Sequence, residues 1–177
     1  MARTIVLPYE INDKVTNLAA KLQEEVCGVL LYTQHQELCP VEYLFITGAG
    51  KVNQVSTLPT RLAVLNEFYK LVPAMKYVEF HTHSAGTIRD CGEYYARNFS
   101  GQDQQMMLER FSDDPAYLHL LFTPVKKILA SCDDSQATVI KAWSNYRKRS
   151  REIGTALNLI AQEMEIDISQ LPVMQIR

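Results

Sequence analysis

The chain contains no long hydrophobic run, so a membrane-spanning helix is not expected. A helix that crosses a bilayer needs roughly 18–20 apolar residues, and no stretch of the sequence approaches that length. The opening segment, residues 1–8, is too short and too soon polar to resemble a signal peptide. We therefore expect a cytoplasmic protein that has no membrane partner.

Cysteines are few, and none is paired as Cys-x-x-Cys. The four lie scattered along the chain, at Cys27, Cys39, Cys91 and Cys132. This spacing does not suit a four-cysteine zinc site. Isolated cysteines of intracellular proteins most often serve as small buried apolar groups, and we expect that role here.

The chain also has no large excess of positive or of negative charge. Lys and Arg total 18 against 20 Asp and Glu, which gives a formal net charge of −2. No dense basic face occurs before the C-terminal helix, so nucleic acid is not expected as a partner. The 177 residues, 47% of them hydrophobic, can bury a core without disulfides and suit one domain.

The apolar pattern predicts strands and helices in the order βαββαβ, a long loop, and then αβββα. Strands are predicted at 3–7, 26–32, 41–47, 77–82, 117–123, 127–132 and 137–143, and helices at 9–24, 59–72, 102–111 and 145–164. Residues 84–99 are predicted to be an irregular connection. Because strict βα alternation is absent, the order favours an α+β fold, a three-layer αβα sandwich around a mostly antiparallel mixed sheet.

One strand ends in His81-Thr82-His83, and Ser100-Gly101-Gln102-Asp103 follows at the start of a helix. Alternate strand residues face the same side, so both imidazoles can reach one ion, and Asp103 can supply a third ligand. Three N and O ligands with a fourth position for water are typical of catalytic zinc. The plainer interpretation is that Ser100 and Asp103 only cap a helix and that the histidines are packed. His35 and His119 are expected to be packed and inert.

Glu25 stands where the first helix meets the second strand. The plain interpretation is a solvent-facing glutamate at a helix end. Its place immediately before the buried run 26–31 could instead direct its carboxylate along the sheet toward a neighbouring strand end. By itself, Glu25 is weak evidence for a functional site.

Taken together, these elements resemble the JAMM (MPN-plus) metalloproteases. Their signature is a glutamate before a Cys-Gly or similar pair, then His-Ser/Thr-His, then Ser-x-x-Asp, and it matches 25–28, 81–83 and 100–103 here. The order of strands and helices agrees from about residue 3 to about 145. The resemblance implies a cytidine-deaminase-like MPN domain over 1–145, followed by a C-terminal helix and tail over 146–177.

The resemblance also implies an activity. One Zn2+ per chain would be bound by His81, His83 and Asp103, Glu25 would be the general base, and Ser100 would steady the oxyanion. Family members are isopeptidases and peptidases that cleave after the Gly-Gly tail of ubiquitin or ubiquitin-like proteins. The implied partners are conjugates of such proteins and a proteasome-type or other protein assembly.

Two departures from the family pattern leave alternatives open. Ser84 replaces the proline that usually follows the second histidine, and 84–99 is longer than the usual spacing, so it is an insertion beside the site. Cys91 or Asp90 of this insertion could act as a fourth ligand and make the site latent. A metal-free MPN-type scaffold subunit is the other alternative.

Overall fold

The computed structural model describes residues 3–51, 55–114, 117–131, 137–143 and 147–172. Within these ranges the strands are β1 (Arg3–Pro8), β2 (Glu25–Tyr32), β3 (Leu38–Gly50), β4 (Ser56–Thr57), β5 (Lys76–Thr82), β6 (His119–Phe122), β7 (Ile128–Ser131) and β8 (Ala137–Ala142). The helices are α1 (Tyr9–Lys21), α2 (Pro59–Leu71), α3 (Ala85–Cys91), α4 (Glu93–Ala96), α5 (Gly101–Asp113) and α6 (Arg147–Glu163).

All the strands belong to one mixed sheet. Its order is β7-β6-β5-β2-β3-β1-β8, and β4 adds to β3 outside this path. The central strand β2 is antiparallel to β3 and β5, whereas β6 is parallel to β5, and β1 is parallel to both β3 and β8. The edge strands β7 and β8 contact each other, so the sheet forms a nearly closed barrel.

The predicted three-layer αβα sandwich of cytidine-deaminase type is therefore wrong. The sheet is not an open layer, because twist and local bends curl it until its two edges meet. The register between β2 and β3 shifts between Cys27 and Gly28 and again between Leu31 and Tyr32. Strand β3 pairs with β1 over its first residues and with β2 over the rest, so it bends between two neighbours.

Two hydrophobic clusters stabilise this sheet from opposite faces. The first packs α1, through Ile11 and Val15, against residues of β1, β2, β3, β5 and β6. The second packs α2 and α6, through Phe68 and Leu157, against the other face of β2 and β3. Successive residues of β2 are buried on opposite faces of the sheet. Leu30 belongs to the first cluster and Leu31 to the second.

Residues 84–99 are not the irregular connection that the sequence predicted, since α3 and α4 occupy most of them. Ser84 is the N-cap of α3, and its backbone N–H donates to the Thr87 hydroxyl at 3.0 Å. Gly92 separates the two helices with a φ of +90°, a left-handed conformation that favours glycine. The prediction failed because the short helix has a serine–threonine cap in place of the more familiar serine–glutamate pair.

The C-terminal segment after α6 lies against the sheet. The buried guanidinium of Arg61 donates to the carbonyl of Ile46 at 2.9 Å and to the carbonyl of Ile168 at 3.2 Å, and it also contacts the carbonyl of Gln170. Whether 1–145 and 146–177 are separate units stays a prediction. In the ranges that the structure describes, no helix has the length and apolar character needed to cross a membrane.

Candidate metal centre

The two histidines of the candidate site lie at the C-terminal end of β5. They point to the same side of the strand, as alternation requires, and both are buried. Thr82 between them points the other way, and its hydroxyl accepts a 3.0 Å hydrogen bond from the backbone N–H of Val26. Thr82, the middle residue of the motif, therefore links the start of β2 to the end of β5 by a hydrogen bond.

Asp103 is held in place by the first turn of α5. Its backbone N–H donates to the Ser100 hydroxyl at 3.1 Å, while the Ser100 backbone N–H donates to Asp103 Oδ2 at 2.6 Å. This reciprocal capping box orients the carboxylate back toward the strand end. The capping interpretation and the metal-ligand interpretation of these two residues are thus compatible in one geometry.

The three side chains converge on one point. His81 Nε2 lies 3.2 Å from Asp103 Oδ1, and His83 Nε2 lies 3.4 Å from Asp103 Oδ2. The ligand atoms of the three residues all lie within 4.8 Å of one another. His81 Nε2 is buried and makes no hydrogen bond within the described residues, so the contact with Asp103 resembles two ligands that share an ion. This group could hold a metal ion.

Electrostatics also suits a cation at this point. Burial raises the pKa of Asp103, but interactions with the imidazoles of His81 and His83 outweigh it and hold the pKa well below its usual range. Burial lowers the pKa of His83, yet the hydrogen bond to Asp103 and the charge of Glu25 raise it overall. The Asp103 carboxyl is therefore held in its charged form, which is the form in which a carboxylate binds a metal ion.

Glu25 is the first residue of β2 and is buried, with 3% of its surface exposed. Strands β2 and β5 pair Cys27 with His81 in antiparallel register, and the same register continued by two residues brings Glu25 opposite His83. Thr87 donates a 2.6 Å hydrogen bond to Glu25 Oε1. Burial raises the pKa of Glu25, although the bond from Thr87 opposes that rise.

Four residues near the site were not singled out as functional by the sequence analysis. Thr87 supports Glu25, and His119, Tyr117 and Glu79 form a hydrogen-bonded row next to His81. The prediction that His119 is packed agrees with its burial, whereas the prediction that it is inert stays a prediction, and one of its partners is a candidate metal ligand. The Ser84-x-x-Thr87 spacing could have indicated a helix cap, whereas no local pattern indicates which strand lies beside β5.

The group opens into a cleft of about 570 Å³, whose wall includes Glu25, His81, His83, Ser100 and Asp103. The same cleft continues past residues of β2, β3 and β4. A second cavity, of about 420 Å³, adjoins it on the side of α3 and α4, and it shares His83 and Ser100 with the cleft. The candidate site is therefore reached from two sides.

The insertion does not supply a ligand in this structure. Among the described residues, the group that could hold a metal ion consists of His81, His83 and Asp103. Asp90 is exposed and pairs with Arg89 at 2.6 Å, and Cys91 lines the second cavity without joining the group.

Comparison with known proteins identifies a fold but no family. No profile of a known protein family matches the chain, and no curated protein matches its sequence. Solved structures do match, among them the solution structure of protein DSY2949 from Desulfitobacterium hafniense, a structural genomics target. That match has a TM-score of 0.52 and 16% sequence identity, and it covers 80% of this chain and 97% of that chain. The likeness concerns the fold alone.

Proposed function

We propose that this chain is a zinc-dependent isopeptidase or peptidase of the JAMM type. The observation that carries the proposal is the convergence of His81, His83 and Asp103 at one end of a cleft that Glu25 also lines. Two imidazoles and one carboxylate form a donor set typical of catalytic zinc. The sequence resemblance to JAMM proteins, which rests on the same residues, supports this assignment.

Each residue has a separate role in the proposed reaction. His81, His83 and Asp103 would hold one Zn2+ per chain. When bound, zinc would lower the pKa of a water molecule and polarise a carbonyl group. Glu25 takes the proton of the attacking water and passes it to the leaving amine. Ser100 donates a hydrogen bond from its hydroxyl to the oxyanion, because the helix cap uses the Ser100 oxygen only as an acceptor.

Glu25 is suited to proton transfer by its surroundings. Its Oε1 is engaged by Thr87, so we assign the transferred proton to Oε2. Burial raises the pKa of the Glu25 carboxyl, which makes it a stronger base than an exposed glutamate. A general base works best when its pKa lies near the working pH, and burial moves Glu25 in that direction.

The proposed substrates are conjugates of ubiquitin or of a ubiquitin-like protein, and this part of the proposal rests on the resemblance. An extended tail requires an open groove beside the reacting atoms. The cleft meets this requirement because it runs from the metal group past Gly28, Ser56 and Thr57 of neighbouring strands. A cytoplasmic location and a role within a larger protein assembly belong to the same proposal.

The first test compares the zinc content of the purified wild-type protein with that of Asp103→Ala, measured by elemental mass spectrometry. We expect about one zinc per chain in the wild type and little in the variant, since a three-residue site loses its carboxylate ligand. Absence of zinc from the wild type after incubation with Zn2+ would leave the metal-free scaffold as the better interpretation.

The second test separates metal binding from turnover. Glu25→Gln should keep its zinc but cleave a panel of diubiquitins about 10²–10⁴-fold more slowly, the range that a general base contributes. Glu24→Gln makes the same change one residue earlier and should leave both properties unchanged. Near-full activity of Glu25→Gln would refute the assignment of the base.

A further inference from the structure

Three hydrogen bonds in a row connect the candidate metal group to a carboxylate farther along the cleft. Tyr117 donates its hydroxyl to Glu79 Oε2 at 2.8 Å, and His119 Nδ1 lies 2.8 Å from the same Tyr117 oxygen. On the other side of the ring, His119 Nε2 lies 2.7 Å from His81 Nδ1. Both imidazoles are at least 95% buried, with 4% of His119 and 5% of His81 exposed.

The strand pairing explains why these residues meet. Strands β5 and β6 are parallel, and their register pairs Glu79 with His119 and His81 with Leu121. Glu79 and His81 are alternate residues of β5 and so face the same side. His119 therefore lies beside Glu79 and diagonal to His81, and Tyr117 reaches the row from just before β6.

The direction of each bond follows from the one before it. Tyr117 uses its single hydroxyl hydrogen in the bond that it donates to Glu79 Oε2. The Tyr117 oxygen is then the acceptor for His119, which places a proton on His119 Nδ1. An imidazole whose single proton lies on Nδ1 can only accept at Nε2, so His119 Nε2 accepts from the N–H at Nδ1 of His81.

We propose that Glu79, Tyr117 and His119 are positioning residues that hold His81 in the Nδ1–H tautomer, with its Nε2 lone pair directed at the metal. The inference rests on the metal-dependent function proposed above. It agrees with an independent observation: His81 Nε2 makes no hydrogen bond within the described residues, yet it lies 3.2 Å from Asp103 Oδ1. A fixed partner on the second nitrogen orients a histidine ligand and raises its basicity.

The test is zinc affinity, measured by competition with a chromophoric chelator. His119→Leu keeps the bulk but removes the acceptor, and we expect its affinity to fall about 10- to 100-fold, the usual effect of losing such a partner. His119→Gln restores an acceptor oxygen and should recover much of the loss. Recovery by glutamine distinguishes a hydrogen-bonding role from simple packing.

Tyr117→Phe tests the next member of the row and has a matched control. The variant removes the hydroxyl that fixes the proton on His119, so its zinc affinity should fall as well. Tyr69→Phe removes a buried hydroxyl that has no hydrogen-bond partner among the described residues, and it should leave zinc affinity unchanged. Thermal melting of each variant shows that it is folded.

A spectroscopic readout tests the tautomer directly. In the zinc-loaded protein, the Nδ1–H proton of His81 should be visible and shifted downfield by its hydrogen bond to His119, and His119→Leu should move that resonance or lose it through exchange with solvent. Wild-type zinc binding that Asp103→Ala abolishes but His119→Leu leaves intact, with an unchanged His81 spectrum, would overturn this inference alone. Absence of zinc binding by the wild type would instead overturn the proposed function.

Discussion

The hydroxyl of Thr87 donates a 2.6 Å hydrogen bond to Oε1 of Glu25, although the two residues are 62 positions apart in the chain. Thr87 lies in the first turn of α3, and Glu25 begins β2. The segment inserted between the histidines and Ser100 therefore contacts the proposed base directly.

Thr87→Val should shift the acidic limb of the pH–rate profile to higher pH. The bond from Thr87 lowers the pKa of Glu25, which burial has raised, so its loss lets that pKa rise further. Glu25 acts only when deprotonated, so a higher pH is then needed to deprotonate it. The measurement is kcat/KM against pH for ubiquitin-conjugate cleavage.

Thr87→Ser is the control for this change, since it keeps the hydroxyl that bonds to Glu25 and to the backbone N–H of Ser84. Its profile should match that of the wild type. A Thr87→Val profile with an acidic limb at the wild-type position or below it would contradict the role assigned to the bond.

Gly86→Ala should destabilise the protein and reduce turnover. A methyl group at this position would collide with the carbonyl oxygen of Gln23, which also accepts a 2.9 Å hydrogen bond from Ser84. Since backbone must then move, we expect the free energy of unfolding to fall by about 1–3 kcal/mol. Denaturant unfolding measures the change. Gly101→Ala meets nothing within 4 Å and should be neutral or slightly stabilising in its helix.

Cys27 should alkylate slowly even though it lines the cleft. Burial raises the pKa of its thiol to about 11, and only the thiolate reacts. At pH 8 the thiolate fraction is about 10²-fold smaller than for a thiol of ordinary pKa. Iodoacetamide labelling followed by peptide mass spectrometry should show Cys27 protected in the native protein and reactive in urea. Rapid native labelling at Cys27 would contradict this expectation.

Arg61→Met should release the C-terminal segment from the sheet. The guanidinium donates to carbonyls of Ile46 and Ile168, and methionine can fill similar space without donating. Buried carbonyls that lose their donors cost about 1–3 kcal/mol, and hydrogen exchange at 166–172 should accelerate. Arg151→Met changes an exposed arginine and should alter stability by less than about 0.5 kcal/mol.

Local patterns of the sequence predicted most helices and strands, because apolar periodicity depends on neighbours within a few positions. The same reasoning missed α3, whose serine–threonine cap is an unfamiliar start signal, and the four-residue helix α4, which begins after Gly92. It also ended the first helix at 24, whereas α1 ends at Lys21. Residue 132, the predicted end of the strand at 127–132, lies outside the described residues. So does residue 145, the predicted start of the helix at 145–164.

Local sequence was enough to predict that His81 and His83 share a side of one strand and that Ser100 caps the helix bearing Asp103. Both relationships join residues no more than three positions apart and follow from backbone geometry. The pairing of distant strands, by contrast, places Glu25 near His83 and places His119 within hydrogen-bond distance of His81. The tertiary structure also decided that the sheet curls into a nearly closed barrel. The contact between His81 and His119 joins residues 38 positions apart, and all these arrangements depend on how the whole core packs, which no local pattern encodes.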